Sequence, residues 1–216
     1  MSQRFAVVIL AAGGSSRLGR PKQLLPYLGK TLVEHAARTA IASGAHEVVV
    51  VVGAESDAVR EKLSGLPVRI VRNRDWQTGM GSSIRCGVES LSSHVDSVVI
   101  SLCDQPQITP DLLRNLASKA ATSSSSIAAS SYDGVLGAPS AFGKELFKEL
   151  TSLAGDSGAR DIIRNATQPI ERVEFSGGNV DIDTPQEYHQ LVQSKVVESL
   201  QSVELDEQET RAPPVV

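Results

Sequence analysis

The sequence predicts an α/β protein of Rossmann-like architecture, with three α-β-α layers built around a doubly wound, mostly parallel sheet. Three observations predict this fold: buried apolar runs, helical patterns between them, and residues that mark where helices begin or end. The apolar runs are residues 5–12, 47–53, 68–73 and 97–104. They lack the alternation of a half-exposed strand, which is typical of strands that helices cover on both faces.

Two helices are predicted between the first three apolar runs. Residues 31–43 place apolar side chains on one stripe, and the pattern stops at Gly44. Ser56 is positioned to cap the second helix, which ends before Gly65. Helices in these positions connect neighbouring parallel strands by right-handed crossovers.

Two further helices flank the fourth run. A loop at residues 77–83 leads into one of them, with Ser82 or Ser83 expected at its cap. Thr109 and Pro110 open the other helix by the N-cap and first-turn preferences. The order β-α-β-α-β-α-β places ligand sites beyond the C-terminal ends of the strands.

The second half of the chain is less regular, and we expect it to contribute a second ligand-binding region. A serine tract at residues 123–126 is followed by an apolar segment at 127–132, a turn at 133–134 and a glycine-proline segment at 137–143. A short helix at 144–150 and a loop before a helix at 155–166 come next. Two late strands at 171–177 and 179–184 and a final helix from Pro185 complete the pattern. Residues 1–202 are expected to form one domain. Residues 203–216 lack apolar periodicity and are expected to be a disordered tail.

Composition narrows the classes of partner. A length of 216 residues fits one domain, and a formal net charge of −4 argues against a nucleic-acid partner, which usually requires a basic face. Two cysteines are too few for a disulfide framework or a cysteine-rich zinc site. The first apolar run is short for a membrane span and lacks a signal cleavage pattern. We therefore expect a cytoplasmic protein without a membrane or nucleic-acid partner.

The strongest local motif is the glycine-rich segment LAAGGSSRLGRPK at residues 10–22, directly after the first strand. Glycines and serines let a backbone present amide groups to a phosphate, and Arg17 and Lys22 add positive charge. The segment is neither a Walker A loop nor the dinucleotide pattern G-x-G-x-x-G. It predicts a triphosphate cradle, although glycines in a plain strand-to-helix turn would give a similar composition.

Two aspartates follow predicted strands. Asp104 ends the run SVVISLC and Asp183 lies in NVDIDTP, so both carboxylates are expected at the C-terminal edge of the sheet. Mg²⁺ prefers a few carboxylates together with substrate phosphate oxygens. The pair therefore predicts a nucleotide-bound Mg²⁺, with Asp181 as a supporting residue, whereas each aspartate alone is equally well explained by a turn or a helix cap.

Together these motifs resemble the molybdenum cofactor cytidylyltransferases of the MobA-like NTP transferase family. RPKQLLPYLGKTLVEH, GMGSSIRCGV, CDQP, GAPSAFG, GDSGAR and DIDTP occur in the family's order, from the first strand through DIDTPQEY. The resemblance implies a nucleotidyltransferase fold of the GT-A-like kind. It also implies that Asp104 and Asp183 share Mg²⁺ and that Lys22, Arg17 and Asp104 are catalytic.

The resemblance assigns roles to further residues. Arg17 would hold the departing phosphates and Lys22 the phosphate under attack, while the GMGSS segment would contact base and ribose. The implied nucleotide-binding residues are Leu10, Ala11, Ala12, Gly13, Gly14, Ser15, Ser16, Arg17, Lys22, Gly79, Met80, Gly81, Ser82 and Ser83. Pro139, Asp156 and Arg160 are candidates for holding the pterin or phosphate of the acceptor. Trp76 is expected either to pack in the interior or to shape the loop at residues 77–83 that would contact the base.

The implied reaction transfers CMP from CTP to the terminal phosphate of molybdopterin, releasing pyrophosphate, for delivery to a molybdoenzyme client. Ala12 favours CTP over GTP, because guanylyl-transferring relatives tend to carry glycine there. No general base is required, since the attacking phosphate is already anionic. Three alternatives remain: another phosphorylated acceptor such as a sugar phosphate, an NAD(P)H-dependent oxidoreductase on the same scaffold, and a noncatalytic pterin carrier.

Overall fold

A seven-stranded sheet forms the centre of the computed structural model, which describes residues 4–178, 182 and 184–193. Within these residues the strands are β1 (Phe5–Ala11), β2 (Pro26–Tyr27), β3 (Lys30–Thr31), β4 (Glu47–Val52), β5 (Arg69–Arg72), β6 (Ser97–Leu102), β7 (Ile127–Tyr132), β8 (Val135–Gly143) and β9 (Glu171–Glu174). The sheet order is β5-β4-β1-β6-β8-β7-β9, and β2 pairs with β3 in a separate hairpin.

The described helices are α1 (Leu32–Ala42), α2 (Ser56–Lys62), α3 (Met80–Glu89), α4 (Pro110–Thr122), α5 (Phe147–Ser152) and α6 (Ala159–Asn165). Residues 185–193 are also helical, and Lys22–Leu24, Trp76–Thr78 and Lys144–Leu146 form short 3-10 turns. β1 runs parallel to β4 and β6, and β5 runs parallel to β4, whereas β8 is antiparallel to both β6 and β7. The predicted mostly parallel sheet with helices on both faces is confirmed.

Alternate side chains of the buried strands enter two different apolar cores. In β1, Val7 and Ile9 pack with α1, α2 and α4, whereas Val8 and Leu10 pack with α3, α5 and α6. Both faces of the strand are thus removed from water, which explains why its sequence is continuously apolar. Each fully buried aliphatic side chain contributes about 1.5–3 kcal/mol of transfer free energy.

Helix starts follow the sequence closely in two cases. Thr31 accepts a hydrogen bond from the Glu34 amide at 3.4 Å, and Glu34 accepts one from the Thr31 amide at 2.9 Å, which completes a capping box at α1. Thr109 accepts from the Leu112 amide at 3.2 Å, and Pro110 is the first residue of α4. Both helices begin where the motif residues predict.

Two predicted caps are wrong. Glu55, in a left-handed conformation with φ 53°, precedes α2, and Ser56 is the first helical residue instead of the cap. Gly79 precedes α3 with φ 118°, so Ser82 and Ser83 lie inside the helix. In both cases a backbone conformation begins the helix, and such a conformation leaves little trace in a pattern of capping side chains.

A third apolar cluster joins the two ends of the described chain. It contains residues from the glycine-rich loop, from the β2–β3 hairpin and the residue before it, from α1, and from the C-terminal helix and the segment before it (Leu18, Leu25, Tyr27, Leu32, Ile182, Tyr188 and Leu191). The Tyr188 hydroxyl donates to the Pro26 carbonyl at 2.6 Å. The described part of the chain contains no helix that is long and apolar enough to cross a membrane.

The predicted strand at residues 179–184 lies largely outside the described residues. The tail at 203–216 lies entirely outside them, so its boundary stays a prediction. The segments at 127–132 and 137–143, where the sequence pattern is irregular, form the hairpin β7–β8 about the turn at Asp133 and Gly134. The C-terminal ends of β1, β4, β5 and β6 share one edge of the sheet. The loops that follow them therefore converge there.

Candidate functional site

The glycine-rich loop curls immediately after β1. Ser15 has φ 52° and its carbonyl accepts from the amides of Leu18 and Gly19 at 3.0 and 3.2 Å. Its hydroxyl accepts from the Lys22 amide at 3.0 Å. Within the described part of the chain, the amides of Gly14, Ser15 and Ser16 donate to no protein group. Adjacent amides of this kind form an anion-binding concavity.

Gln23 holds this loop from behind. Its side chain is buried, and Nε2 donates to the carbonyls of Ala11 at 3.0 Å and Gly13 at 2.6 Å. Its Oε1 has no hydrogen-bond partner among the described residues. Sequence reasoning missed this role, and the available signal was a polar residue that directly follows Lys22 and precedes two leucines.

A lysine and a buried carboxylate meet at the mouth of the loop. Lys22 Nζ donates to Asp104 Oδ2 in a short contact. Asp104 is only 6% exposed, which places its carboxylate at the C-terminal end of β6 as the sequence predicts. A small cavity of about 150 Å³ lies beside Lys22 and is lined by Gly13, Ser15, Ser16, Arg17, Leu18 and Lys22. Lys22 thus connects this small cavity, which Arg17 also lines, with Asp104.

Cys103, next to Asp104, is a buried strand-end residue. Burial raises the pKa of its thiol, and the Asp104 carboxylate raises it further, while Lys22 lowers it in part. The thiol therefore stays protonated near neutral pH and is a poor nucleophile. Its side chain packs in the apolar core beneath α1 and α4.

Asp183 and Asp181 lie outside the described residues. The residue between them is described: the Ile182 amide donates to the Asp104 carbonyl at 3.3 Å, and the Ile182 side chain is fully buried. Among the described residues, no group of three or more His, Cys, Asp or Glu side chains could hold a metal ion. A single buried carboxylate beside the glycine-rich loop does fit Mg²⁺, which takes few protein ligands plus phosphate oxygens.

A cavity of about 420 Å³ opens between the loop, α3 and β6. Its walls are Leu10, Ala12, Gly13, Lys22, Trp76, Gln77, Gly79, Met80, Ser83, Leu102, Asp104 and Asp156. Of the other sequence-predicted nucleotide-binding residues, Ala11, Gly81 and Ser82 are buried outside these walls. Ser82 instead donates to the Gly79 carbonyl at 2.8 Å and the Asp75 carbonyl at 3.1 Å. Sequence reasoning did not assign Gln77 or Leu102 to the site.

Asn73 connects the two ends of the loop between β5 and α3. It is buried, Nδ2 donates to the hydroxyls of Ser82 at 2.8 Å and Ser83 at 3.0 Å, and Oδ1 accepts from the Asp75 amide at 2.9 Å. The loop is therefore fixed internally. Nothing in the sequence beyond its position after a strand distinguishes Asn73.

A second cavity of about 340 Å³ adjoins the first. It shares Leu10, Met80, Leu102 and Asp156, and its other walls are Ile84, Ile100, Ala138, Ser140, Gly158, Ala159, Arg160 and Asp161. The structure thus brings the predicted acceptor residues Asp156 and Arg160 together. Pro139 is buried outside these walls and accepts from the Ser130 hydroxyl at 2.7 Å. Ser140 is buried and its hydroxyl has no partner among the described residues.

An α/β sheet whose first loop forms an anion cradle, next to a buried Asp–Lys pair and two joined cavities, defines a nucleotidyltransferase. A family model described as "MobA-like NTP transferase domain" matches residues 7–172. The chain belongs to this family. Its substrates are accordingly a nucleoside triphosphate and a phosphorylated acceptor.

Two relatives match nearly the whole chain. Nicotine blue oxidoreductase from Paenarthrobacter nicotinovorans is 39% identical over 194 residues, which cover 86% of this chain and 95% of the relative. Purine catabolism protein PucB from Bacillus subtilis is 33% identical, with 84% of this chain and 92% of the relative covered.

Solved structures agree with this assignment. Rv0371c from Mycobacterium tuberculosis is 29% identical with a TM-score of 0.80, over 89% of this chain and 99% of that chain. A structure of Rv0371c in complex with manganese has a TM-score of 0.76 at 27% identity, over 89% of this chain and 100% of that chain. A nucleotidyl transferase from Methanothermobacter thermautotroptrophicus is 25% identical with a TM-score of 0.78, over 91% of this chain and 100% of that chain. Rv0371c, a homologue of this chain, thus binds a divalent metal.

Proposed function

We propose that this enzyme transfers CMP from CTP to the terminal phosphate of molybdopterin in a Mg²⁺-dependent reaction that releases pyrophosphate. The observation that carries the proposal is the pair of joined cavities. One is lined by Lys22 and Asp104 and borders the small cavity at the anion cradle. The other has mostly apolar walls together with the charged residues Asp156, Arg160 and Asp161. A triphosphate and a phosphorylated acceptor bound in these cavities would meet at the shared walls.

The glycine-rich loop supplies the triphosphate end of the site. The amides of Gly14, Ser15 and Ser16 would bind phosphate oxygens, and Arg17 would bind the departing β- and γ-phosphates. Lys22 would neutralise charge that develops at the α-phosphate. Donors fixed before the reaction stabilise a transition state without reorganising, which is the largest catalytic contribution in many enzymes.

Asp104 and Asp183 would hold Mg²⁺. Asp104 offers a buried oxygen ligand, and the hydrogen bond from the Ile182 amide to the Asp104 carbonyl brings the residue before Asp183 next to Asp104. When bound, Mg²⁺ supplies positive charge to the phosphate oxygens. Lys22 is in contact with Asp104. Its positive charge would therefore lie between this metal ligand and the glycine-rich loop.

The acceptor is inferred from the second cavity. Leu10, Ile84, Ile100, Leu102, Ala138 and Ala159 give it apolar walls, which suit a flat heterocycle better than a sugar with many hydroxyls. The Ser140 hydroxyl offers a hydrogen-bonding group to the heteroatoms of such a ring. Arg160 would bind the acceptor phosphate by charge-assisted hydrogen bonds.

In the reaction, an oxygen of the acceptor phosphate forms a bond to the α-phosphorus of CTP while the bond from that phosphorus to the bridging β-phosphate oxygen breaks. The electron pair leaves with pyrophosphate. The attacking oxygen is anionic at neutral pH, so the chain has only to orient the two phosphates and neutralise their charge. We propose the cytoplasm as its location and a molybdoenzyme as the client of the product.

The test is pyrophosphate release by purified protein with Mg²⁺ and each of CTP, GTP, ATP and UTP, with and without molybdenum-loaded molybdopterin. Release that requires both CTP and the acceptor, is lost in Asp104→Asn and is kept in the exposed control Asp111→Asn would support the proposal. Release with a sugar phosphate but not with molybdopterin would overturn the acceptor assignment.

The 39% identity to a relative named nicotine blue oxidoreductase favours a second candidate, an NAD(P)H-dependent reduction on the same scaffold. The glycine-rich loop departs from G-x-G-x-x-G, which counts against a dinucleotide cofactor. Oxidation of NADPH or NADH, followed at the nicotinamide absorbance with pterin or quinoid heterocycles as acceptors, distinguishes the two. Oxidation of NADPH or NADH by the protein, together with no pyrophosphate release in the nucleotide assay above, would replace the transferase proposal with the oxidoreductase.

A further inference from the structure

A tyrosine hydroxyl and an arginine guanidinium meet on the acceptor side of the site. Tyr132 ends β7 and Arg160 lies in the first turn of α6, so the two residues belong to elements that are separate in sequence. A Cβ at Gly137 in β8 would collide with the Tyr132 hydroxyl oxygen and would lie 3.1 Å from a terminal guanidinium nitrogen of Arg160. The two polar groups therefore converge on one point beside Gly137.

Space, and not backbone conformation, explains the glycine at position 137. Its φ lies outside the left-handed region, so the backbone alone would accept a larger residue. The missing side chain leaves room for the hydroxyl and the guanidinium. Gly137 directly precedes Ala138, which lines the 340 Å³ acceptor cavity together with Arg160. The two groups thus lie at the edge of that cavity.

Packing fixes the position of the Tyr132 hydroxyl. The Tyr132 ring meets the Phe175 ring edge-on at a centroid distance of 6.4 Å, and a Cβ at Gly178 would collide with the Tyr132 ring. The Gly178 amide donates to the Phe175 carbonyl at 3.0 Å, which closes the turn after β9 around the tyrosine. The hydroxyl makes no hydrogen bond to a described residue, so its direction is set by these contacts alone.

Arg160 likewise forms no ion pair or side-chain hydrogen bond with a described residue, and its side chain is exposed. The carboxylate beside it in sequence has other partners, since Asp161 accepts from the Gly158 amide at 3.0 Å and pairs with Arg164 at 3.7 Å. A guanidinium has only donors, and a phenol can donate one hydrogen bond more. Two donors that converge without a shared acceptor atom offer a place for a ligand oxygen, and the guanidinium charge favours an anionic one.

We propose that Tyr132 is an acceptor-binding residue whose hydroxyl shares one oxygen of the acceptor phosphate with the Arg160 guanidinium. The inference rests on the proposed function and identifies a second residue that selects phosphorylated acceptors at the same site. Hydrogen bonds to a charged oxygen are stronger than those between neutral groups, so the second donor increases the preference for a phosphate over an uncharged hydroxyl.

The experiment compares wild type with Tyr132→Phe, Arg160→Met and the double variant by pyrophosphate release at saturating CTP and Mg²⁺, with molybdopterin varied. Each single variant is expected to raise the KM for the acceptor about tenfold and to leave the KM for CTP unchanged. The double variant is expected to raise it less than about 100-fold, because the two groups share one oxygen. Arg172→Met, at an exposed position of β9, is the matched control for the loss of a positive charge.

A second measurement requires no turnover. Inorganic phosphate is titrated calorimetrically into protein that is saturated with CTP and Mg²⁺, so that the nucleotide occupies the cradle at residues 14–16. Wild type is expected to bind phosphate about tenfold more tightly than Tyr132→Phe or Arg160→Met does. Gly137→Ala is expected to weaken phosphate binding as well, because its methyl group would displace the hydroxyl and the guanidinium.

An unchanged acceptor KM and an unchanged phosphate affinity in Tyr132→Phe, with the variant shown to be folded by its melting transition, would overturn the inference. Failure of wild type to bind phosphate would also overturn it. Absence of pyrophosphate release with every nucleotide and acceptor, together with phosphate binding that depends on Tyr132 and Arg160, would instead count against the proposed function alone.

Discussion

Lys22 and Asp104 form an ion pair whose side chains are 20% and 9% exposed, so each carries its charge in a largely dry site. An ion pair in such a site contributes little net stability, because desolvation offsets most of the attraction. The pair instead fixes a position, since Asp104 keeps the Lys22 ammonium group at the entrance of the glycine-rich loop. The pair is thus better explained by a ligand's charge than by the stability of the fold.

Lys22→Met is predicted to reduce kcat about 100-fold or more while changing the KM for CTP much less, because the ammonium acts on charge that develops in the transition state. Steady-state pyrophosphate release measures both constants. Lys148→Met, at an exposed position of α5, is the matched control. A loss confined to KM would show that Lys22 only binds the ground state.

His35 lies behind the Asp104 loop, with its Nε2 at 3.0 Å from the Pro106 carbonyl and its ring edge-on to Tyr27. Burial lowers the pKa of His35 below its ordinary value of 6.5, the Pro106 carbonyl offsets this in part, and nearby Lys30 lowers it further. The neutral ring is therefore the form that the folded protein accommodates.

Above pH 6.5 the ring is neutral in both the folded and the unfolded chain, so it adds no pH dependence there. Below that value the unfolded chain takes up a proton that the folded chain does not, and the free energy of unfolding falls as pH falls. We predict that urea unfolding between pH 7 and 5 shows this loss and that His35→Gln reduces its slope. His94→Gln, at an exposed position, serves for comparison, and an equal slope in both variants would contradict the assignment.

At the scale of elements, the start of α3 joins the two cavities. The Gly81 amide donates to the Gly155 carbonyl at 3.1 Å, and a Cβ at Gly79 would lie 2.1 Å from the same oxygen. The start of α3 and the segment that carries Asp156 therefore touch backbone to backbone. A change at this contact must move both.

Gly79→Ala is predicted to lower the free energy of unfolding and to raise KM for both substrates, since it strains a residue at φ 118° and collides with backbone. Gly44→Ala is the control, because Gly44 has φ 78° with nothing within 4 Å of its Cβ. That variant should lose only about 1–2 kcal/mol, the cost of the left-handed conformation. Chemical denaturation and substrate titrations separate the two effects, and equal losses would exclude the backbone contact as a cause.

The elements differ in how far sequence predicts them. β1, β4 and β6 were predictable because a strand buried on both faces needs an unbroken apolar run. β7 was less so: Ser130 and Ser131 are buried in it, and the Ser130 hydroxyl is satisfied by the Pro139 carbonyl of the partner strand. Such a bond offsets the cost of burying the serine hydroxyl, and it depends on a strand pairing that local sequence does not contain.

The same reasoning applies to the candidate site. The glycine-rich loop and Asp104 were predictable as neighbours, because both directly follow parallel strands that end at one edge. Gln23, Asn73 and Trp76 act through tertiary contacts with Gly13, Ser82 and Gly53 respectively. Gln23 lies in the segment RPKQLLPY, but its role, like those of Asn73 and Trp76, depends on contacts that only the folded chain shows.

At the scale of the whole molecule, the site draws on segments from both ends of the described chain. Tyr188 in the C-terminal helix bonds to Pro26 in the hairpin that follows the glycine-rich loop, and Ile182 bonds to Asp104. A ligand bound at this edge would therefore hold together parts of the fold that are distant in sequence. Binding should stabilise the molecule as one unit.

We predict that CTP with Mg²⁺ at 100 times its dissociation constant raises the free energy of unfolding by about 2.7 kcal/mol, as for any ligand that binds only the folded state. CMP and pyrophosphate should each have less effect at the same concentration, because each fills only one end of the cavity. In Asp104→Asn the Mg²⁺-dependent part should vanish, since the carboxylate at the metal site is gone. Thermal and urea unfolding with each ligand measure these differences. If pyrophosphate alone matched CTP, only the cradle at residues 14–16 would be recognised, and the cavity bounded by Trp76 would not bind the base.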